Sequence, residues 1–197
     1  SVLNGNDYPL SNIRKIGVNP IIIDFGSNYG SSIIYFKDNF PDSIIYGFEP
    51  SEKTYIVLKK NVQSLDNVKV EKLAVWNKKG KYRLHYGPKN LSGSYSLREW
   101  NEDLGGEYVQ TTTYLHIIES NKISEIDILK IDIESVELDV LFDIFTNCSD
   151  VPINNIFIEY HGEVVLNELK ETFSVIYEII HCNEVSKSQG SVLMTLK

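Results

Sequence analysis

Acidic residues recur where short apolar runs end. Asp24 closes the run at 21–25, Glu49 follows 44–48, Asp132 and Glu134 follow 126–131, and Glu159 and His161 close 155–159. A carboxylate so placed can accept hydrogen bonds from hydroxyls, attract a cation or take a proton, and an imidazole can do the last at its ordinary pKa. The stretch IIIDFGSNYG, residues 21–30, adds Gly26 and Gly30 on either side of Asn28. Glycines there let the chain turn tightly and approach a ligand closely. Asn28 stands where the middle glycine of a dinucleotide G-x-G-x-x-G would fall, and no Gly-Lys-Ser/Thr follows, so neither that fingerprint nor a P-loop is present. A pyrophosphate would also meet two negative charges, Asp24 and Glu49, whereas a cationic ligand would be attracted by them. S-adenosylmethionine offers a sulfonium, an ammonium, a carboxylate and a ribose diol. Glu49 at the end of a second strand can accept from both ribose hydroxyls, as in nicotinamide enzymes too.

These residues need elements to hold them. The apolar runs 21–25, 44–48, 126–131 and 155–159 predict buried parallel strands, with a further strand over 68–75. Helical spacing appears at 31–40, stopped by Pro41, and at 52–61, 134–145 and 164–173. Segments 81–86 and 108–113 alternate polar and apolar residues, as half-exposed antiparallel strands do, and a polar loop joins them over 87–106. Segments 174–180 and 191–196 predict a closing antiparallel pair. Strand and helix alternate without a visible linker, which predicts one α/β domain over residues 1–197 with a doubly wound, mostly parallel sheet and a small antiparallel insertion. In such a sheet ligands bind at the carboxyl ends of the strands, where all the acids fall.

Composition narrows the classes. With 197 residues, 42% apolar and 23% charged, the chain is of ordinary globular size and character. Its net charge of −8 argues against gripping a phosphate backbone. Cys148 and Cys182 lie far apart without CxxC spacing, which predicts reduced thiols in a cytoplasmic protein rather than a disulfide or zinc site. No apolar run approaches the ~20 residues of a membrane helix. The chain opens on Ser1 and its one methionine is Met194, so it is expected to be part of a longer protein, with residues 1–20 a lead-in.

The chain resembles the FkbM family of S-adenosylmethionine-dependent methyltransferases. The resemblance runs over residues 21–161 and rests on IIIDFGSNYGSSIIYF, YGFEPSEKTYIVLKKNV, VEKLAVWNKKG, IDILKIDIESVELDVL and IFIEYHG. The glycine motif and the Phe-Glu-Pro step occur in many methyltransferases, whereas K-I-D-I-E-x-x-E and E-x-H are more particular to this family. The resemblance implies a class I methyltransferase sheet of Rossmann-like form. It implies that Asp24, Gly26, Asn28 and Gly30 line the methionine end of the cofactor, and that Glu49 holds the ribose beside a turn shaped by Pro50 and Ser51. Ala74 and Val75 would touch the adenine, Asn77 would stand near its amine, and Ser94 would lie near the cofactor. Asp132 and Glu134 would face the transferred methyl, and Glu159 and His161 would line the acceptor side. Where family members carry glycine after this Glu, the chain has Ser135, which narrows the space by a side chain. The segment before the first strand is short, so a helical cap over the site is expected to be missing or trimmed.

Methyl transfer needs an aligned nucleophile and, for an alcohol, removal of its proton. His161 is the expected base by its ordinary pKa, with Asp132 or Glu134 next; His85, His116 and His181 take no role. A metal held by Asp132, Glu159 and His161 is a further alternative. A nicotinamide oxidoreductase and a non-catalytic binding domain are the rival classes. The expected acceptor is a hydroxyl on a small metabolite, sugar, polyketide or peptide, free or presented by a carrier, with Tyr86, Tyr95 and Trp100 placed to cover it.

Overall fold

A computed structural model describes residues 8–87, 95–99, 104–147, 150–186 and 189–197. Apolar runs become five parallel strands: β1 (Ile21–Phe25), β2 (Ile44–Phe48), β3 (Val68–Glu71), β8 (Ile126–Ile131) and β9 (Ile153–His161). The hairpin β10 (Tyr177–Ser186) and β11 (Gln189–Leu196) completes a seven-stranded sheet in the order β10-β11-β9-β8-β1-β2-β3, with β11 antiparallel to both neighbours. All six residues of β8 are buried, as expected of a central strand covered on both faces. Side chains alternate between those faces. Ile22, Ile128, Phe157 and Leu193 pack under α1 (Ser31–Asn39) and α2 (Glu52–Val62). Ile23, Leu129, Ile156 and Met194 pack under α3 (Tyr114–Asn121), α4 (Glu137–Asn147) and α5 (Glu163–Phe173). The sheet is therefore a doubly wound α/β sheet, mostly parallel, of the kind expected.

Between β3 and β8 a second sheet forms from β4 (Ala74–Val75), β5 (Gly80–Tyr86), β6 (Tyr95–Ser96) and β7 (Gly106–Thr112), in the order β4-β7-β5-β6. This corrects the single strand expected over 68–75. The chain pairs with β2 only to Glu71, then leaves the main sheet at Lys72–Leu73 so that Ala74 and Val75 pair with Thr111 and Thr112. Helix α3 was not expected. Its signal is Thr113, whose hydroxyl caps the amide of His116 at 3.3 Å, which puts His116 on a helix. The lead-in packs on the α1 face. Tyr8 is 3% exposed against Phe36 and Phe157, and Asp127 accepts the amides of Gly17 and Ile21 at 2.7 and 2.8 Å.

Candidate active site

The strand order reverses between β1 and β8, and a cleft opens beside their carboxyl ends, where sheets of this kind bind ligands. Gly26, Asn28, Glu49, Pro50, Ala74, Val75, Asp132 and Glu134 line it, as the sequence suggested. Phe48, Leu73, Leu84, Tyr95 and Leu97 add an apolar wall; Leu84 and Tyr95 come from the second sheet, and of the five the sequence had singled out Tyr95 alone.

At one end, the turn after β1 is shaped by φ of +80° at Gly26 and +47° at Asn28. A Cβ on Gly26 would lie 1.8 Å from the Asp132 carbonyl oxygen, so only glycine lets the turn pass the end of β8. The turn delivers the Asn28 amide to Glu49 Oε2 at 3.0 Å, and the Ser51 amide reaches Oε1 at 2.9 Å. Both carboxylate oxygens are thus anchored by backbone, each with a lone pair left for a ligand. Glu49 is 4% exposed, and burial, only partly opposed by the two amides, pushes its pKa up to about 7.

At the other end the acids are held by side-chain cations. Lys130, 2% exposed, sits 2.9 Å from Asp24 Oδ1 and 3.4 Å from Asp132 Oδ2, and donates to the Gly26 carbonyl at 2.7 Å. Burial disfavours its charge, but Asp24, with Tyr8 and Asp132, holds its pKa well above the ordinary value. His161 lies between carboxylates: Nδ1 is 2.9 Å from Glu137 Oε1, and Nε2 is 3.4 Å from Glu134 Oε2 and 3.9 Å from Glu159 Oε1. Burial opposes a charged ring, yet the Glu137 hydrogen bond and the charges of Glu134, Glu137 and Asp132 carry its pKa up to about 9. That value departs from the ordinary pKa on which the expected role of His161 as base rested. Glu159 is pushed up to about 7 by burial and the Asp132 charge, partly offset by His161.

Several expected positions take other roles. Asp24 is fully buried, bound to Lys130 and to the Ser32 hydroxyl at 2.6 Å, and stands behind the cleft rather than in its lining. Gly30 caps α1 at φ +90°, and a Cβ there would meet Leu58 Cδ1 at 2.9 Å, so it serves helix packing and not the cleft. Ser51 works through its amide, and Asn77 lies past β4 outside the cleft lining. Ser94 and Trp100 lie outside the described residues. Glu159 and His161 adjoin the cleft through Asp132 and Glu134 rather than lining it. α4 begins at Glu137, not 134, because Glu134 and Ser135 take positive φ of 52° and 75°. That turn is pinned by the Ser96 hydroxyl on the Glu134 carbonyl at 2.7 Å and by the Ser135 amide on Glu137 Oε1 at 3.1 Å. Lys130 and Glu137 had no role assigned, although both stand in K-I-D-I-E-x-x-E; a charged residue inside an apolar strand, and a second acid on the apolar side of a helix, were the available signals. Among the described residues no group of three or more His, Cys, Asp or Glu stands in metal-holding geometry, and no helix is long and apolar enough to cross a membrane.

The strand order, the glycine turn and the acid-tipped strands define a Rossmann-like class I methyltransferase fold. The model of the methyltransferase FkbM domain matches residues 24–184, and the chain belongs to that family. It is 26% identical over 198 residues to the methyltransferase sdnD of Sordaria araneosa, covering 84% of this chain and 70% of that protein. It is 25% identical over 142 residues to the 2-O-methyltransferase NoeI of Sinorhizobium fredii, covering 62% of this chain and 56% of that protein. The crystal structure of a methyltransferase FkbM from Methylobacillus flagellatus superposes with a TM-score of 0.66 at 12% identity, over 96% of this chain. This chain spans 47% of that one, about half its length. Aeropyrum pernix fibrillarin, solved with natively bound S-adenosyl-L-methionine, superposes with a TM-score of 0.55 at 12% identity, over 96% of this chain and 73% of its own.

Proposed function

We propose that the protein transfers the methyl group of S-adenosylmethionine to a hydroxyl oxygen of a small molecule, free or presented by a carrier, and that residues 1–197 act as one methyltransferase domain. The observation that carries this reading is Glu49, a buried carboxylate with each oxygen fixed by one amide, at the mouth of a cleft with an apolar wall on one side and acids beyond. Those residues fit the cofactor. The two oxygens suit a diol, Leu73, Ala74, Val75 and Leu97 suit a flat heterocycle, and Asp132 and Glu134 suit a ligand with cationic groups. When bound, the cofactor supplies a methyl already activated on a sulfonium. The protein's part is to hold the acceptor oxygen in line and remove its proton. The pyrophosphate of NAD would bring its charges against Asp132 and Glu134, which disfavours the oxidoreductase reading. A hydroxyl acceptor is supported by the name of the Sinorhizobium fredii relative, a 2-O-methyltransferase.

Calorimetric titration tests this directly, with S-adenosylmethionine and S-adenosylhomocysteine as ligands and NAD as control. The expected result is micromolar binding of both, weakened ~10²-fold or more in Glu49→Ala because two charged hydrogen bonds are lost. Absence of binding by folded protein overturns the reading. Binding is followed by a screen of polyols and phenols for uptake of labelled methyl.

A further inference from the structure

Resting on the methyl-transfer reading, we propose that Glu159 takes the proton of the acceptor hydroxyl, and that His161 is a fixed cation, clamped by Glu137 and Glu134, that positions Glu159 and Glu134 around the acceptor.

The geometry around the ring decides its part. Both nitrogens of His161 face carboxylates, Glu137 at 2.9 Å and Glu134 at 3.4 Å. An ionised carboxylate only accepts, so the hydrogen bond to Glu137 asks for an N–H at Nδ1, while Nε2 faces Glu134 at ion-pair distance. A neutral ring would turn a lone pair toward one of the two acids. With both nitrogens protonated, the ring has no site for a further proton. Glu137 makes this state persistent. It is 1% exposed, and the oxygen that holds His161 is itself fixed by the Ser135 amide.

Three carboxylates remain at the ends of β8 and β9. Asp132 is 3.4 Å from the buried Lys130 ammonium, and Glu134 is 3.4 Å from His161 Nε2. Each thus already has a cation-bearing side chain at contact range. Glu159 is paired more loosely. Among the described residues its nearest cation, His161 Nε2, is 3.9 Å away, beyond hydrogen-bonding range, and its hydrogen-bond partner is the neutral Gln189 amide at 3.2 Å on Oε1. Its side chain is also the most exposed of the three, at 32% against 26% for Asp132 and 22% for Glu134. Tyr8 from the lead-in stays a neutral phenol, because burial raises its pKa well above the ordinary value. Glu159 is therefore reachable, only loosely paired, and raised by burial and Asp132 to about 7, where a base works best near neutral pH. In the transfer the acceptor oxygen bonds the methyl carbon, the carbon–sulfur bond breaks with its electron pair going to sulfur, and the hydroxyl proton passes to Glu159 and then to water.

The test begins without cofactor or acceptor. The whole chain, labelled with ¹⁵N-histidine and ¹³C-carboxyl glutamate, is titrated by NMR from about pH 5 to 10, with assignments from His161→Gln and Glu159→Gln. The expected result is a doubly protonated His161 ring at neutral pH that loses its proton near 9, and a Glu159 carboxyl that titrates near 7. Glu137→Gln should bring the His161 transition down by more than one pH unit, a shift that a merely structural role would not cause. A His161 ring that titrates at its ordinary value, or a Glu159 that titrates with ordinary glutamates, overturns the proposal. With an acceptor from the screen, Glu159→Gln should lower kcat ~10²-fold or more at unchanged cofactor Kd. His161→Gln should displace the pH–rate profile instead. A Glu159→Gln variant that keeps its kcat overturns the assignment. Failure of wild-type protein to bind S-adenosylmethionine strikes the methyl-transfer reading instead, and leaves the titration result standing.

Discussion

The two ends of the cleft hold their acids by different means. At the β2 end Glu49 is fixed by two backbone amides, so its position follows from the path of the chain. At the β8 and β9 ends Asp132, Glu134 and Glu159 are arranged by two cationic side chains, Lys130 and His161. Backbone anchoring has one geometry and responds little to its neighbours. A side-chain network can be tuned, because each charge shifts the proton affinity of the others. The first arrangement suits recognition of an invariant ligand part, and the second suits a group that must gain and lose a proton.

Lys130→Met should break the side-chain end most severely. It strips the cation from Asp24, which is fully buried, and unpaired buried carboxylates destabilise by ~3–5 kcal/mol. Denaturant unfolding measures this, and a loss below about 1 kcal/mol would show that the Lys130–Asp24 pair contributes little to the fold. The next effect belongs to His161. Its pKa rises on folding, from an ordinary 6.5 to about 9. The stability it contributes is therefore fully present below about pH 6.5 and lost as pH rises through about 9, on the order of 3 kcal/mol in all. In His161→Gln that fall between neutral and alkaline pH should vanish from the unfolding free energy.

The backbone-held end is probed by pH in a different way. Glu49 must be ionised to accept from a diol, and its pKa stands at about 7. Affinity for S-adenosylmethionine should fall as pH drops through that value, by up to ~10-fold per pH unit, while binding by Glu49→Gln stays flat. Calorimetry across pH 5.5–8.5 reads this, and a flat wild-type profile would mean that ionisation of Glu49 is not coupled to binding. The smallest effect is expected at the turn between the two ends. Ser135 has φ of +75°, a region costly for a side chain, so Ser135→Gly should stabilise the fold by ~1 kcal/mol and leave cofactor affinity unchanged.

Much of this architecture was legible in the chain. Apolar-rich runs such as IDILKI read as central strands even with Asp127 and Lys130 among them, and the turn IIIDFGSNYG falls at the cleft, where Gly26 has no room for a Cβ beside the Asp132 carbonyl. Helix α3 and the break at Lys72–Leu73 were not legible. A short helix with one capping threonine gives a weak periodic signal, and where an extended strand changes sheets depends on partners distant in sequence. Among site residues, Glu49, Asp132 and Glu134 could be read from their place after apolar runs. Asp24 could not be separated from them, since the same pattern describes an acid facing a ligand and one buried against Lys130.

Residue type and order by themselves determined the succession of strands and helices, the clustering of acids at the strand ends, and the exclusion of pyrophosphate motifs. These follow from local rules: burial periodicity, backbone freedom and charge. Only the tertiary structure decided which acids meet which cations. His161 and Glu137 are 24 residues apart and Lys130 and Asp24 are 106, and no local rule brings them together. That pairing sets the proton affinities, and so moves His161 away from the ordinary pKa on which its expected role rested.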